Sequence, residues 1–397
     1  MYLPEKMAVL SVGYNMKIQN GNIFTKEGCF QKGDLFIKDG IIKDVKVTSF
    51  EDETSEYDSI LDAENLYVLP GFVDIHLHGC NGVDFCEATK ETFEAMENYQ
   101  MHHGITTIFP ATMTLPEDKL EHICQTAAEY IKNSKQNVMA GITMEGPFLS
   151  KEKKGAQEEK FIIKAENEYF QKLQKKSNGL ICQVAVAPEE EGAMEFIQKT
   201  SKNTVVSLAH STAGYEVACK AIEAGATHVT HLFNGMNPFL HREPGIVGAA
   251  FDKPDVFVEL ICDGVHIHPS VVRSVFKMFG AHRICMISDS LSATGMENGE
   301  YFLGGQKIFK KDNKIMLQDG TLAGSACNLY DCFKKTVLDM KVPLEEAVLS
   351  CTKTPAKSLN ADDKYGIIKE GRSADLLITD KNLDIKYILK NGKLIKK

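Results

Sequence analysis

The sequence predicts an α/β protein: a (β/α)8 TIM-like barrel with a small β-sandwich-like domain contributed by both chain termini. Three observations lead there. Eight apolar, β-branched runs alternate with segments of helical period from Gly71 onward. Strand-and-turn texture flanks that region on both sides. No G-x-G-x-x-G follows the first run, which argues against a doubly wound open sheet.

The elements follow in order. Residues 1–15 precede any pattern and are set aside as a possible extension. MKIQNGNIF, DLFIKDGIIKDVKV and ENLYVLPGFVDIHLH read as short strands, with N-G and D-G pairs as hairpin turns. The eight barrel runs are 72–78, 105–112, 140–147, 181–189, 204–211, 226–234, 256–266 and 283–290. Helix candidates between them include KETFEAMENYQMHHG, PEDKLEHICQTAAEYIKN, EGAMEFIQKT, GYEVACKAIEAGA and HPSVVRSVFKMFG. A hairpin-like stretch, EYFLGGQKIFKKDNKIMLQDGTLAGS, follows the eighth run, then helices NLYDCFKKTVLDM and PLEEAVLSCTKTPAKSL. The tail returns to strands. The expected division is 1–70 with 352–397 for the β-domain and 71–351 for the barrel, since domain ends often lie close together.

Composition bounds the function. In 397 residues, 43% are apolar and 25% charged, which excludes a disordered or collagenous chain. The net charge of −9 argues against nucleic acid or an anionic membrane as the main partner. No apolar run of about 18 residues occurs, so no transmembrane helix is expected. The N-terminus lacks the basic head, apolar core and cleavage site of an export signal. The 11 cysteines are scattered without a C-x-x-C pair, and Cys182, Cys262 and Cys285 sit in apolar runs as small hydrophobes. A cytoplasmic protein with reduced thiols is the expectation.

Chemistry in such a barrel belongs at the C-terminal ends of the strands. There the first run ends His76-Leu77-His78, and period-two alternation puts Asp74, His76 and His78 on one face, the interior. The third run ends at Glu145, the fifth at His210, and the sixth carries His231. The seventh carries Asp263 and His266, and the eighth Asp289. Singly, each has a plain structural explanation: a hydrogen-bonded core histidine, a loop carboxylate, or a cap for the next segment at Asp289. Jointly, they put imidazoles and carboxylates at one barrel mouth, the donor set a divalent metal needs. His102, His103, His122, His228, His241, His268 and His282 read as surface, loop or supporting residues. Glu189, Glu190 and Glu191 read as a solvated helix start, and 151–154 as a loop near the mouth.

These residues resemble the amidohydrolase superfamily. MEGPFLS, LAHS, THLFNGMNPF, HREPGIVGAAF, DGVHIHP, SDSLSATG and TLAGSACNL, in that order from Met144, narrow the match to its N-acetylglucosamine-6-phosphate deacetylase family. The resemblance runs from Met16 across nearly the whole chain. It implies a principal metal on Glu145, His210 and His231, and leaves room for a second on His76 and His78, which some members hold with this H-x-H pair. One or two divalent ions per subunit are therefore expected, zinc first, with iron, manganese or cobalt also suited to such ligands. It implies Asp289 as general base and acid. It assigns Asn234, Gly235, Arg242, Asp263, His266 and the Leu322-Ala323-Gly324 loop to substrate. Arg242 is expected to reach the phosphate in a neighbouring subunit's site, which implies a homodimer. One departure is visible. Many members carry His in a G-x-H after the E-G-P loop, whereas this chain has Gly155-Ala156-Gln157. Gln157 can donate a hydrogen bond to the substrate but cannot be an imidazolium.

The implied reaction removes the acetyl group of N-acetyl-D-glucosamine 6-phosphate. The galactosamine epimer is the alternative substrate. A cyclic-amide hydrolase normally bridges two metals with a lysine after strand four, where this chain has Val186-Ala187-Pro188-Glu189. A scaffold without catalysis would be expected to lack metal ligands, and here they are present.

Overall fold

A computed structural model describes residues 15–47 and 57–395. The chain divides into two compact units, Gly71–Gly366 and the combination of the chain up to Pro70 with Ile367 onward.

The larger unit is the barrel. Its strands are β1 (Phe72–Asp74), β2 (Ile105–Ile108), β3 (Ile142–Met144), β4 (Ile181–Val186), β5 (Val205–Leu208), β6 (His228–Val229), β7 (Phe257–Ile261) and β8 (Ile284–Ile287). β1 pairs with β2, and a short continuation of β2 at Ala111–Thr112 pairs with β3. From β3 to β8 each strand pairs in parallel with the next. Just past the strand ends, Asp289 N donates to His76 O (3.0 Å) and His78 N to Ser290 O (2.8 Å), joining the eighth strand to the first. The eight runs thus become eight strands, each shorter than its run because the last residues of the run turn into the site.

Helices fill the crossovers: α1 (Lys90–His102), α2 (Glu117–Asn133), α3 (Asn167–Lys176), α4 (Ala193–Thr200), α5 (Tyr215–Glu223), α6 (Gly245–Asp252) and α7 (Pro269–Phe279). α7 shows why they form. His268 caps it by accepting from Ser270 N, Pro269 opens its first turn, and Val272, Val275, Phe276 and Phe279 form its buried face. Gly280 ends it with a φ of 72°. The helical reading did not single out α3 or α6. α6, GIVGAAFD, is apolar almost all round, so it offers no amphipathic period to detect.

A four-stranded antiparallel sheet follows β8, over Gly299–Leu303, Gln306–Lys311, Lys314–Met316 and Leu322–Ser325. Next come α8 (Leu329–Leu338), α9 (Leu344–Cys351) and α10 (Lys353–Ser358). Phe333 of α8 packs edge-on to Phe72 of β1 at 4.9 Å, and both are fully buried. Truncating either to alanine would cost about 3–5 kcal/mol. The last two helices were expected as one. Pro355 has no N–H for the Cys351 carbonyl, and the chain breaks at Thr352 instead. The boundary near 352 also moves, to Gly366/Ile367. The physical reason is α10. Thr354 Oγ1 donates to Ala281 O (2.9 Å), and Ala356 and Leu359 are buried with Val73, Ile75 and Ile287.

The smaller unit is one eight-stranded sheet. Its path runs 393–395, 385–390, 376–379, 67–70, 15–24, 30–38 and 41–47, with 59–62 alongside 15–24. A bridge between Ile41 and Ser373 returns one edge toward the C-terminal segment. Ile18, Ile23, Leu35, Val68, Leu376, Ile378 and Leu389 share its core. The sandwich-like expectation therefore takes the form of a single sheet around one apolar core. Asp39-Gly40 is the expected tight turn, with φ of 53° and 78°. Asn20-Gly21 is not: the strand runs on from Asn15 to Phe24 through a register shift there, and Asn20 N donates to Asp34 Oδ1 (2.9 Å). The expected extension at 1–15 lies outside the described residues as far as residue 14, and Asn15 already belongs to the first strand. No helix among the described residues is long and apolar enough to cross a membrane.

Candidate active site

The strand ends bring six predicted side chains together. Glu145 follows β3, His210 follows β5, His231 follows β6, His76 and His78 follow β1, and Asp289 follows β8. All six are buried. Two groups of three have ligand atoms within 4.8 Å of one another: Glu145, His210 and His231, and His76, His78 and Asp289. His210, His231 and Asp289 have φ of 44°, 28° and 51°. A residue with a Cβ costs roughly 1–2 kcal/mol there, and such strain is held by surrounding structure at functional sites.

The hydrogen bonds of the rings decide what the groups can hold. His210 Nδ1 lies 2.7 Å from Lys153 O, His231 Nδ1 3.1 Å from Asn234 O, and His78 Nδ1 3.2 Å from Ala111 O. Carbonyls only accept, so each Nδ1 carries a hydrogen, and each Nε2 turns inward. His210 Nε2 and His231 Nε2 are 3.1 Å apart and lie 3.1 and 3.0 Å from Glu145 Oε1. Three basic atoms at that spacing repel unless a cation or protons lie among them. His78 Nε2 lies 3.3 Å from Glu145 Oε2 and 3.5 Å from Asp289 Oδ1. His76 Nε2 is buried without a hydrogen-bond partner, 3.5 Å from Glu145 Oε1. That orphan, and the mixed imidazole–carboxylate donors, fit a divalent metal in each group.

Electrostatics agree. Burial opposes ionisation of Glu145, but His76, His210 and His231 outweigh it and hold the carboxyl well below its usual range. Burial likewise opposes a charge on His78, yet Asp289 and Glu145 raise it to about 9. Protons and a metal compete for the same nitrogens here.

A cavity of about 270 Å³ opens over these groups. Gln157, Asn234, Gly235, His266, Leu322, Ala323 and Gly324 line it, as does Asp289. Asn234 and Gly235 bend sharply under His210: Gly235 has a φ of 61°, and a Cβ there would stand 2.9 Å from His210 Nδ1. Gly146 is as constrained, since a Cβ would meet Thr114 Oγ1 at 2.0 Å. Gln157 Nε2 donates to Glu145 Oε2 (2.6 Å), and Gln157 Oε1 accepts from Thr114 N (2.7 Å). Its amide therefore steadies Glu145 as well as facing the cavity. Asp263 is not among the lining residues. It accepts from His266 Nδ1 (2.8 Å), from the backbone of Val265 and His266, and from Ser325 Oγ (2.9 Å). Burial opposes that charge, but His266 holds the Asp263 carboxyl at about 2. Burial also opposes charge on His266, and Asp263 raises it. Arg242 is exposed and outside the cavity lining, with Nη1 2.8 Å from His241 Nε2.

Supporting residues differ from expectation. Glu189 is no solvated helix start: it accepts from Ser211 Oγ (2.6 Å) and Thr212 Oγ1 (3.0 Å), fixing the loop behind His210. Segment 151–154 is a 3-10 turn at Lys151–Lys153, tied down by its carbonyl to His210. Glu259 of β7 is fully buried against His76 and was not singled out. Its signal was a lone carboxylate in the apolar run VFVELIC, which burial makes costly unless it is paired.

The amidohydrolase family matches residues 67–396. The N-acetylglucosamine-6-phosphate deacetylase of Bacillus subtilis (strain 168) is 31% identical over 386 residues, covering 96% of this chain and 97% of that protein. The N-acetylgalactosamine-6-phosphate deacetylase of Escherichia coli O157:H7 is 28% identical over 374 residues, 94% of this chain and 97% of that one. A crystal structure of N-acetylglucosamine-6-phosphate deacetylase from Pasteurella multocida superposes with a TM-score of 0.90 at 29% identity, covering 97% of this chain and all of that one. With its strand-end carboxylates and histidines on the same barrel, the chain belongs to the amidohydrolase family.

Proposed function

We propose that the protein hydrolyses the acetamide of N-acetyl-D-glucosamine 6-phosphate to D-glucosamine 6-phosphate and acetate. The observation that carries this is the convergence of Glu145, His210 and His231 beside Asp289 under one cavity. The similarity to deacetylases along nearly the whole chain supports the substrate. Glu145, His210 and His231 would hold the principal divalent cation, and His76 and His78, with Asp289 beside them, a second. A bound cation supplies Lewis acidity, which makes water acidic enough to ionise near pH 7. Zinc suits these ligands, as do iron, manganese and cobalt.

This chain's residues do the rest. Asp289 takes the proton of the attacking water and passes it to the departing nitrogen, so the amine leaves neutral. His266, oriented by Asp263, donates toward the carbonyl oxygen as it gains charge. Gln157 keeps Glu145 in one orientation and meets the acetamide from the cavity wall. The backbone at Asn234 and Gly235 and the loop Leu322-Ala323-Gly324 enclose the sugar. Arg242 provides a planar fork for the phosphate. Its exposure supports a homodimer in which it reaches the neighbouring subunit's substrate. Eleven free cysteines among the described residues support a reducing, cytoplasmic setting.

The galactosamine epimer is the second reading, favoured by the Escherichia coli relative. Acetate release from both 6-phosphate epimers, with metal content measured before and after chelation, tests the proposal. Faster turnover of the glucosamine epimer is expected, lost on chelation and restored by metal. No acetate from either epimer ends the proposal.

A further inference from the structure

Glu259 lies in the barrel interior on β7, with no exposed surface. A carboxylate there is unfavourable unless every oxygen is occupied. All are. Oε2 faces His76 Nδ1 at 2.9 Å and accepts from His231 N at 3.3 Å. Oε1 accepts from Gln183 Nε2 at 2.7 Å and faces His228 Nε2 at 3.2 Å. The other three inward-turned rings rest on neutral backbone carbonyls. His76 alone among the four rests on a charged group, and its Nε2 is the one left buried without a hydrogen-bond partner.

We propose that Glu259 is a positioning residue that makes His76 a strong donor to a second divalent cation in the His76–His78–Asp289 group. This rests on the two-cation reading above. The carboxylate holds the Nδ1–H tautomer, fixes the plane of the ring and raises the basicity of Nε2. Gln183 Nε2 holds the far oxygen, which keeps the near one toward His76. The two groups then differ in kind: one is oriented by neutral carbonyls, the other by a buried negative charge.

Glu259→Gln separates charge from shape. Glutamine can keep its oxygen toward His76 and turn its NH2 toward Gln183, whose own buried Oε1 has no hydrogen-bond partner. Metal-free wild-type and E259Q protein are titrated with Zn2+ alone, with bound zinc counted by mass spectrometry after equilibrium dialysis. The wild type is expected to bind two Zn2+ per chain. In E259Q the weaker-bound ion should lose about 10–100-fold in affinity, with the tighter one unchanged within about twofold. Unchanged affinity for both ions in E259Q relative to wild type overturns the proposal, as does equal weakening of both, which marks a general structural role. A wild type that takes up only one ion overturns it as well. Should E259Q not fold, imidazole 15N spectra of zinc-loaded wild type decide. A slowly exchanging Nδ1–H on His76, assigned by its loss in H76N and appearing with the second equivalent of zinc, is expected; its absence overturns the assignment. Acetate release by the wild type is read separately, so failure of this inference and failure of the deacetylase reading are distinguishable.

Discussion

The floor of the site and its rim are built differently. On the floor, every candidate ligand is buried, and each imidazole is held from behind by a second bond. At the rim, Arg242 is exposed, its side chain meets only the neighbouring His241 among the hydrogen bonds described, and Phe239 and Leu240 are exposed beside it. A floor of this kind is preorganised: its donors lose little freedom when a cation or transition state arrives. The rim is not, and long exposed side chains give up rotamer entropy on binding. The contrast teaches where each task sits. In the proposed function, bond breaking sits on rigid strand ends and phosphate recognition on a segment that the barrel itself leaves uncovered.

The contrast can be broken first at the floor. Glu145→Ala removes the carboxylate of the His210–His231 group, which also faces His76 and His78, so activity should fall more than about a thousand-fold, several kcal/mol of lost stabilisation. Metal content should fall with it; an active, metal-loaded variant would show that the floor is not the metal site. Asp289→Asn keeps the shape and loses the proton acceptor. Its kcat should drop about 10²–10⁴-fold while zinc remains bound in the Glu145 group. Near-normal turnover would remove Asp289 from proton transfer.

The rim should respond more gently. Arg242→Ala should raise KM for the phosphorylated sugar about 10–100-fold with kcat little changed, the worth of a charge-assisted bond. Its preference over the unphosphorylated sugar should narrow in step. An unchanged preference would take Arg242 out of phosphate recognition. The smallest effect concerns the Asp263–His266 pair between the two regions. Asp263 is depressed below 3.8, so its contribution is present above that value and lost as pH falls toward about 2. His266 is raised above 6.5, so its contribution is full below that value and lost as pH rises through its folded pKa. Melting of wild type against Asp263→Asn across pH should therefore show the largest gap between these limits. A gap independent of pH would mean the pair contributes by packing alone.

How much was legible depends on the kind of signal. The barrel could be read because eight apolar runs and their intervening helices are local patterns, and because strand direction sends the last residues of each run to the same mouth. Glu145, His210, His231, His76, His78 and Asp289 were legible for that reason. Asn20-Gly21 misled, because a dipeptide suited to a tight turn is equally suited to a bulge, and the partner strand decides between them. α6 was invisible because it is apolar through all but its last residue and so shows no polar face.

Residue types, their order and their spacing were enough to imply a divalent-metal site at a barrel mouth, and the motifs' resemblance to a known family implied a hydrolase. They were silent on what stands behind each ligand. Glu259 reaching His76 across the barrel, Gln157 tied to Glu145 and Glu189 under the His210 loop join residues from different strand ends. Such pairings arise when strands close into a ring, because a buried charge must find its partner in space, and nothing in local sequence says which distant group that will be.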